Sequence, residues 1–205
     1  MKPMEIEKKS FEIISRELGD KKLIPGTEEI VKRVIHCTAD FDYADNLVFS
    51  ENVVKILQNA FLHGCNIVTD TMMAKSGINK SATEKLGINI HCFISDNEVA
   101  QEAKERGITR AAAAMERAAA LPGPCVFAIG NAPTAILSLL QCVREGKTDP
   151  VAVIGVPVGF VNVVESKEML CGSTIPHIVA RGRKGGSNVA AAICNAILYS
   201  IVQRG

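Results

Sequence analysis

Arg33 and His36 stand three residues apart, a spacing that places both on neighbouring parts of one helix surface. An ordinary imidazole titrates near about pH 6.5, so a histidine can give and recover a proton at neutral pH without large tuning. The chain has four histidines, at 36, 63, 91 and 177; only His36 pairs an adjacent arginine with a polar stretch, Thr38 to Asp42, directly after it. A histidine at a helix end is also a common structural feature, so the pattern alone leaves both roles open. No His-x-x-x-His or His-Glu-x-x-His pair is present, and no two of the seven cysteines form Cys-x-x-Cys, so a protein-held metal is not expected.

A second concentration of chemistry lies at Arg181-Gly182-Arg183-Lys184-Gly185-Gly186-Ser187, where three cations alternate with three glycines directly before a helix start. Arginine holds a carboxylate or phosphate through two parallel hydrogen bonds, and glycine lets the backbone approach an anion. Ser187 is expected to cap the helix that follows. The alternative is a solvated basic loop. The segment is not a P-loop, because Gly-x-x-x-x-Gly-Lys-Ser/Thr is absent, and no Gly-x-Gly-x-x-Gly follows a strand, so a nucleotide cofactor has little support. Gly130-Asn131-Ala132-Pro133-Thr134 joins an apolar run to a helical one, with Pro133 suited to the first helical turn and Thr134 able to present a hydroxyl. Asp70-Thr71 is a further exit turn, where an aspartate often just caps a helix.

These turns need a scaffold that brings them to one place. Five short apolar runs read as strands: Asn66 to Thr69, Ile88 to Ile94, Cys125 to Ile129, Val151 to Val156 and Ile175 to Ala180. Most are apolar throughout, as strands covered on both faces are. Helical periodicity runs from Met4 to Leu18 with Gly19 as a stop, and from Thr27 to Cys37. Ser50 reads as the N-cap of a helix reaching His63 with Gly64 beyond it; others run from Asp96 to Gly107, through the alanine-rich stretch 109–121, from Pro133 to Gly146, and from Ser187 onward. The expected fold is α/β: one three-layer domain over residues 1–205, with a mostly parallel sheet of about five strands flanked by helices. In such sheets ligands bind beyond the carboxyl ends of the strands. That rule selects the exit turns at Asp70-Thr71, Ser95-Asp96, Gly130 to Thr134, Pro157 to Phe160 and Arg181 to Ser187.

Composition narrows the partners. Lys+Arg number 23 against 22 for Asp+Glu, a net charge of +1 that argues against general nucleic-acid binding while allowing a local anion site. An odd number of cysteines, mostly among apolar neighbours, fits a reducing cytoplasm better than a disulfide framework. The charged start reads as no signal peptide, and no apolar run is long enough to span a bilayer.

In order and spacing, several segments resemble the precorrin-8X methylmutase family, which includes the cobalt-precorrin-8 methylmutases. The carriers are Lys9 to Ile14, Arg33-Val34-Ile35-His36, Phe49-Ser50, Asp70 to Met73, Thr109-Arg110, Ala128 to Ala135, Pro157 to Val161, Glu165-Ser166-Lys167 and Gly182 to Ser187. The resemblance implies an isomerase of corrin biosynthesis that moves a methyl group from C11 to C12 of a precorrin-8 macrocycle. The product would be hydrogenobyrinate or its cobalt-containing counterpart. It implies His36 as proton donor and acceptor, and Ser10 and Arg33 as substrate contacts. Arg110, Thr134, Arg183 and Ser187 join them as substrate contacts because their motifs match and their chemistry suits a polycarboxylate. It further implies no cofactor, any cobalt being carried by the substrate, and a homodimer with sites at the subunit interface; which subunit supplies Ser10 and which His36 is left open. Two other readings compete: a tetrapyrrole carrier without catalysis, and a sugar-phosphate enzyme using the basic glycine turn.

Overall fold

The computed structural model describes residues 3–202. In chain order the elements are α1 (Pro3–Leu18), α2 (Glu28–Thr38), α3 (Tyr43–Asn46), β1 (Leu47–Phe49), α4 (Val53–Leu62), β2 (Asn66–Thr69), α5 (Met72–Gly77), α6 (Lys80–Lys85) and β3 (Asn89–His91). There follow α7 (Asn97–Arg106), α8 (Arg110–Ala119), β4 (Cys125–Ile129), α9 (Pro133–Arg144), β5 (Ala152–Gly155), α10 (Val163–Cys171), β6 (His177–Ala180) and α11 (Ser187–Ile201).

The strands form one six-stranded sheet in the order β1-β6-β5-β4-β2-β3, parallel except for β1, which runs antiparallel to β6. Successive strand residues point to opposite faces, and both faces are covered. Val126, Ala128, Ile154 and Ile178 pack on one side with Ile14, Val34, Leu57, Phe61, Ala74 and Ile193, from α1, α2, α4, α5 and α11. Phe127, Ile129, Val153 and Val179 face the other way against Met115, Ile136, Leu139 and Leu170, from α8, α9 and α10. Outside α8 lies α7, through Val99 and Ala103. The two-sided cover expected from the apolar runs is therefore present.

Helix α11 is the central brace of the first layer, with α2, α4 and α5 all packed on it. Its Val189, Ile193, Ile197 and Leu198 are buried, each such side chain contributing about 1.5–3 kcal/mol. That burial fixes where its first residues, Ser187 and Asn188, meet the sheet edge.

Several local expectations are corrected. Leu47–Phe49 is a sixth strand, too short to show periodicity. Ser50 does not cap α4: the helix begins at Val53 after Asn52 in the left-handed region at φ 58°, with no side-chain cap. The Ser50 hydroxyl instead accepts from His177 N at 2.8 Å, and Ser50 N donates to His177 O at 2.9 Å, extending the β1–β6 pairing. Strand β6 starts two residues later than read, after Pro176, and β3 keeps only three of its seven expected residues. Asp96 sits at the N-cap of α7 without a capping hydrogen bond. Helices α3, α5, α6 and α10 lie outside the sequence reading. Among the described residues, no helix is long and apolar enough to cross a membrane.

Candidate active site

The carboxyl edge of the sheet is held together by a continuous set of contacts between its exit turns. Asp70, buried at the end of β2, accepts three backbone hydrogen bonds: from Gly130 N at 2.9 Å, Asn131 N at 2.7 Å and Ala132 N at 2.8 Å. Burial pushes its carboxyl above the ordinary range while those three N–H groups pull it back. The aspartate thus shapes the turn after β4 rather than capping its own helix. Thr71 caps α5, accepting from Ala74 N at 3.1 Å. Its hydroxyl also shares a 2.7 Å hydrogen bond with Ser187.

Ser187 is the first residue of α11, and Gly186 occupies the N-cap position with no side-chain cap, so the expected capping role of Ser187 is not found. The turn after β4 passes close beneath it. A Cβ at Gly130 would lie 2.7 Å from Ser187 Cα, so only glycine fits there. Three residues after Gly130, α9 begins with Pro133 at its first position, as expected. Thr134 accepts a 2.8 Å hydrogen bond from Thr109 Oγ1, and Thr109 caps α8 by accepting from Ala112 N. Arg110 follows directly, exposed, with no carboxylate partner among the described residues.

His36 reaches the same edge from the other direction. It is exposed in the last turn of α2, and the next residue, Cys37, places Sγ 3.9 Å from Asn188 O at the start of α11. Partial desolvation by its neighbours raises the Cys37 thiol pKa despite nearby Arg33. Beyond α2, Asp40 and Asp42 each bind Lys184 Nζ at 2.6 Å, tying the end of the histidine helix to the basic loop. Arg183 in that loop is exposed, its guanidinium 5.3 Å from the ring centre of Phe160 in the turn after β5.

His36, Thr134, Arg110, Arg183 and Ser187 are therefore brought to one edge. Ser10 and Arg33 are placed differently. Ser10 Oγ donates to Ile6 O within α1. The Arg33 guanidinium pairs with Glu7 at 2.9 Å and lies 4.9 Å from the ring centres of both Phe11 and Tyr199. In this conformation it is committed to packing α1 against α2 and α11.

Sequence reasoning missed two groups. Lys167 is fully buried, and its Nζ donates to Gly182 O and Lys184 O, both at 2.8 Å. Asp70 was visible as an exit-turn residue, but its three-amide grip was not. Clefts of about 460 Å³ beside Thr27 and Ser50, and about 440 Å³ beside His63 and Pro124, open at the opposite, amino edge of the sheet. They hold no comparable gathering of cations and turns. Among the described residues, no group of three His, Cys, Asp or Glu side chains is placed to hold a metal ion.

Fold and site together define an α/β protein whose carboxyl sheet edge presents an exposed imidazole, the guanidinium groups of Arg110 and Arg183 with no carboxylate partner among the described residues, and tightly held helix starts, chemistry suited to an anionic organic ligand. The chain belongs to the precorrin-8X methylmutase family, whose model matches residues 5–200. It is 47% identical to the cobalt-precorrin-8 methylmutase of Salmonella typhimurium, across 97% of this chain and 96% of that protein. It is 43% identical to the cobalt-precorrin-8 methylmutase of Priestia megaterium, across 96% and 88%. The crystal structure of precorrin-8x methyl mutase from Thermus thermophilus superposes with a TM-score of 0.86 at 35% identity, covering 94% of this chain and 95% of that one.

Proposed function

We propose that this chain is the isomerase that moves a methyl group from C11 to C12 of a precorrin-8-type macrocycle, with His36 as the proton-transfer residue. The observation that carries the reading is the exposed His36 at the carboxyl edge, on a helix end bound to both the α11 start and the basic loop. A precorrin combines a flat apolar ring with many carboxylate side chains, and this edge offers matching walls. Arg110 and Arg183 pair carboxylates, Thr134 and Ser187 present hydroxyls, and Phe160 meets the ring. His36 protonates a ring position, the methyl group migrates within the π-system, and the proton returns to the imidazole. The reaction is redox-neutral and needs no resident cofactor. General acid chemistry of this kind supplies about 100- to 10,000-fold, and the remainder comes from holding the macrocycle in a reactive geometry.

The relatives named as cobalt-precorrin-8 methylmutases support a cobalt-containing substrate, the metal arriving with the macrocycle. A second copy of the chain closes the site in this reading. Phe160, Val161 and Met73 are 81%, 78% and 71% exposed around the ligand edge, an apolar rim that favours cover. Seven free cysteines fit a reducing cytoplasm.

The test is an anaerobic incubation with precorrin-8 carrying a ¹³C label in the migrating methyl group, in cobalt-containing and metal-free forms. The expected result is movement of the label's NMR resonance to the C12 position, faster with cobalt. Binding without movement in either form would make the chain a carrier.

A further inference from the structure

Lys167 is the largest buried charged side chain in the described molecule and has no carboxylate to neutralise it. Removing an ammonium from water is costly, and carbonyl hydrogen bonds recover only part of that cost. A methionine would fill the same volume without it, so the ammonium must do something that packing alone does not.

Its two bonds show what. The carbonyls it holds belong to Gly182 and Lys184, the residues on either side of Arg183. The carbonyl between them, that of Arg183 itself, accepts from Gly159 N at 3.1 Å. Gly186 N donates to Val156 O at 2.9 Å, and a Cβ at Gly185 would lie 2.1 Å from that same oxygen. The Lys184 side chain is bound by Asp40 and Asp42. Within the basic loop almost everything is tied down, and the Arg183 guanidinium is left facing outward over Phe160.

We propose that Lys167 is a positioning residue for Arg183: by fixing the backbone on both sides of that arginine, it aims the guanidinium at a carboxylate of the macrocycle. The inference rests on the reading of Arg183 as a substrate contact. A flexible glycine-rich loop would present the same charge, but would lose conformational entropy on each binding event; Lys167 has that ordering done in advance.

A double-mutant cycle tests this with Lys167→Met, Arg183→Met and the double variant, reading the Kd for hydrogenobyrinate from its visible absorption together with KM and kcat. Each single variant is expected to bind about 10- to 100-fold more weakly, the range for one charge-assisted hydrogen bond. The double variant should bind no worse than Arg183→Met, and KM should change more than kcat. Multiplying effects in the double variant, or an unchanged Kd for Lys167→Met beside a weakened Arg183→Met, would overturn the inference while leaving Arg183 as a contact. An unchanged Kd for Arg183→Met would overturn the contact and the inference with it.

Should Lys167→Met not fold, the folded wild type decides. Burial lowers the Lys167 pKa to about 8. The Cys171 thiol on its own helix, itself pushed up by burial, is the titratable group that acts on it; on the loop, Arg181 is paired with Glu168, Lys184 with Asp40 and Asp42, and Arg183 faces outward over Phe160. Packed on α10 as well, α9 and β6 bring no charge that acts on it. Loss of the proton leaves the amine two N–H groups but removes the charge that strengthens both bonds, so wild-type Kd should weaken a few-fold as pH rises through about 8, and Arg183→Met should remove that dependence. A flat wild-type profile, or the same rise in Arg183→Met, would overturn the inference.

Discussion

The imidazole of His36 lies 5.4 Å, centre to centre, from the ring of Phe11, with the two planes 59° apart. A side chain from α1 therefore sets one wall of the histidine that α2 carries to the carboxyl edge of the sheet. The same Phe11 ring also receives the Arg33 guanidinium. Packing α1 onto α2 thus sets the imidazole's surroundings and shields most of Arg33 from solvent in one contact.

The close passage of the β4 exit turn under α11 should make Gly130 intolerant of even one carbon. Gly130→Ala is expected to lose about 1–3 kcal/mol in urea unfolding, the usual cost of overpacking, with weaker corrin binding because Ser187 is displaced. Wild-type stability in this variant would mean that the α11 start is free to move away from the turn.

Two arginines that look alike in the sequence should behave oppositely. Arg33→Met breaks an ion pair and two cation–π contacts and is expected to cost about 1–2 kcal/mol of stability. Arg110→Met, at an exposed position without a carboxylate partner among the described residues, should leave stability within about 0.5 kcal/mol. It should weaken hydrogenobyrinate binding by about 10- to 100-fold. Thermal melts and binding titrations on both variants separate the two roles.

Stability should also record the buried ammonium. Burial holds Lys167 at about 8 in the folded chain, against an ordinary value of 10.5. Between those values the unfolded chain binds more protons than the folded one, so this group makes the unfolding free energy rise as pH rises from about 8 toward about 10.5. The difference in stability between wild type and Lys167→Met should therefore grow in favour of wild type across that window. A constant difference would show that the ammonium keeps its water.

Which features were legible in the sequence follows from what each depends on. Strands β2 and β4 stand where their continuous apolar runs put them, α2 follows its apolar stripe, α8 its alanine-rich stretch, and α9 starts at Pro133 and stops just short of Gly146, because burial, helix propensity and punctuation leave local marks. Strand β1 left none: three residues cannot show a period, and its partner β6 is about 130 positions away. Ser50 looked like a cap because serine suits both a helix start and a strand hydrogen bond; the tertiary partner His177 decided between them. Asp70 and Lys167 both lay inside recognisable motifs, yet their work is done on backbone groups of other turns, and no local pattern specifies such a partner. The position of His36 at the sheet edge became visible only through Asn188 and Lys184, both far along the chain.

The most direct measurement is a comparison of wild type with His36→Ala, reading equilibrium binding of hydrogenobyrinate and the rate of methyl migration in the same preparation. Proton transfer by that imidazole predicts a rate lower by about 100- to 10,000-fold with binding retained. Methyl migration at the wild-type rate in the His36→Ala protein would contradict the account.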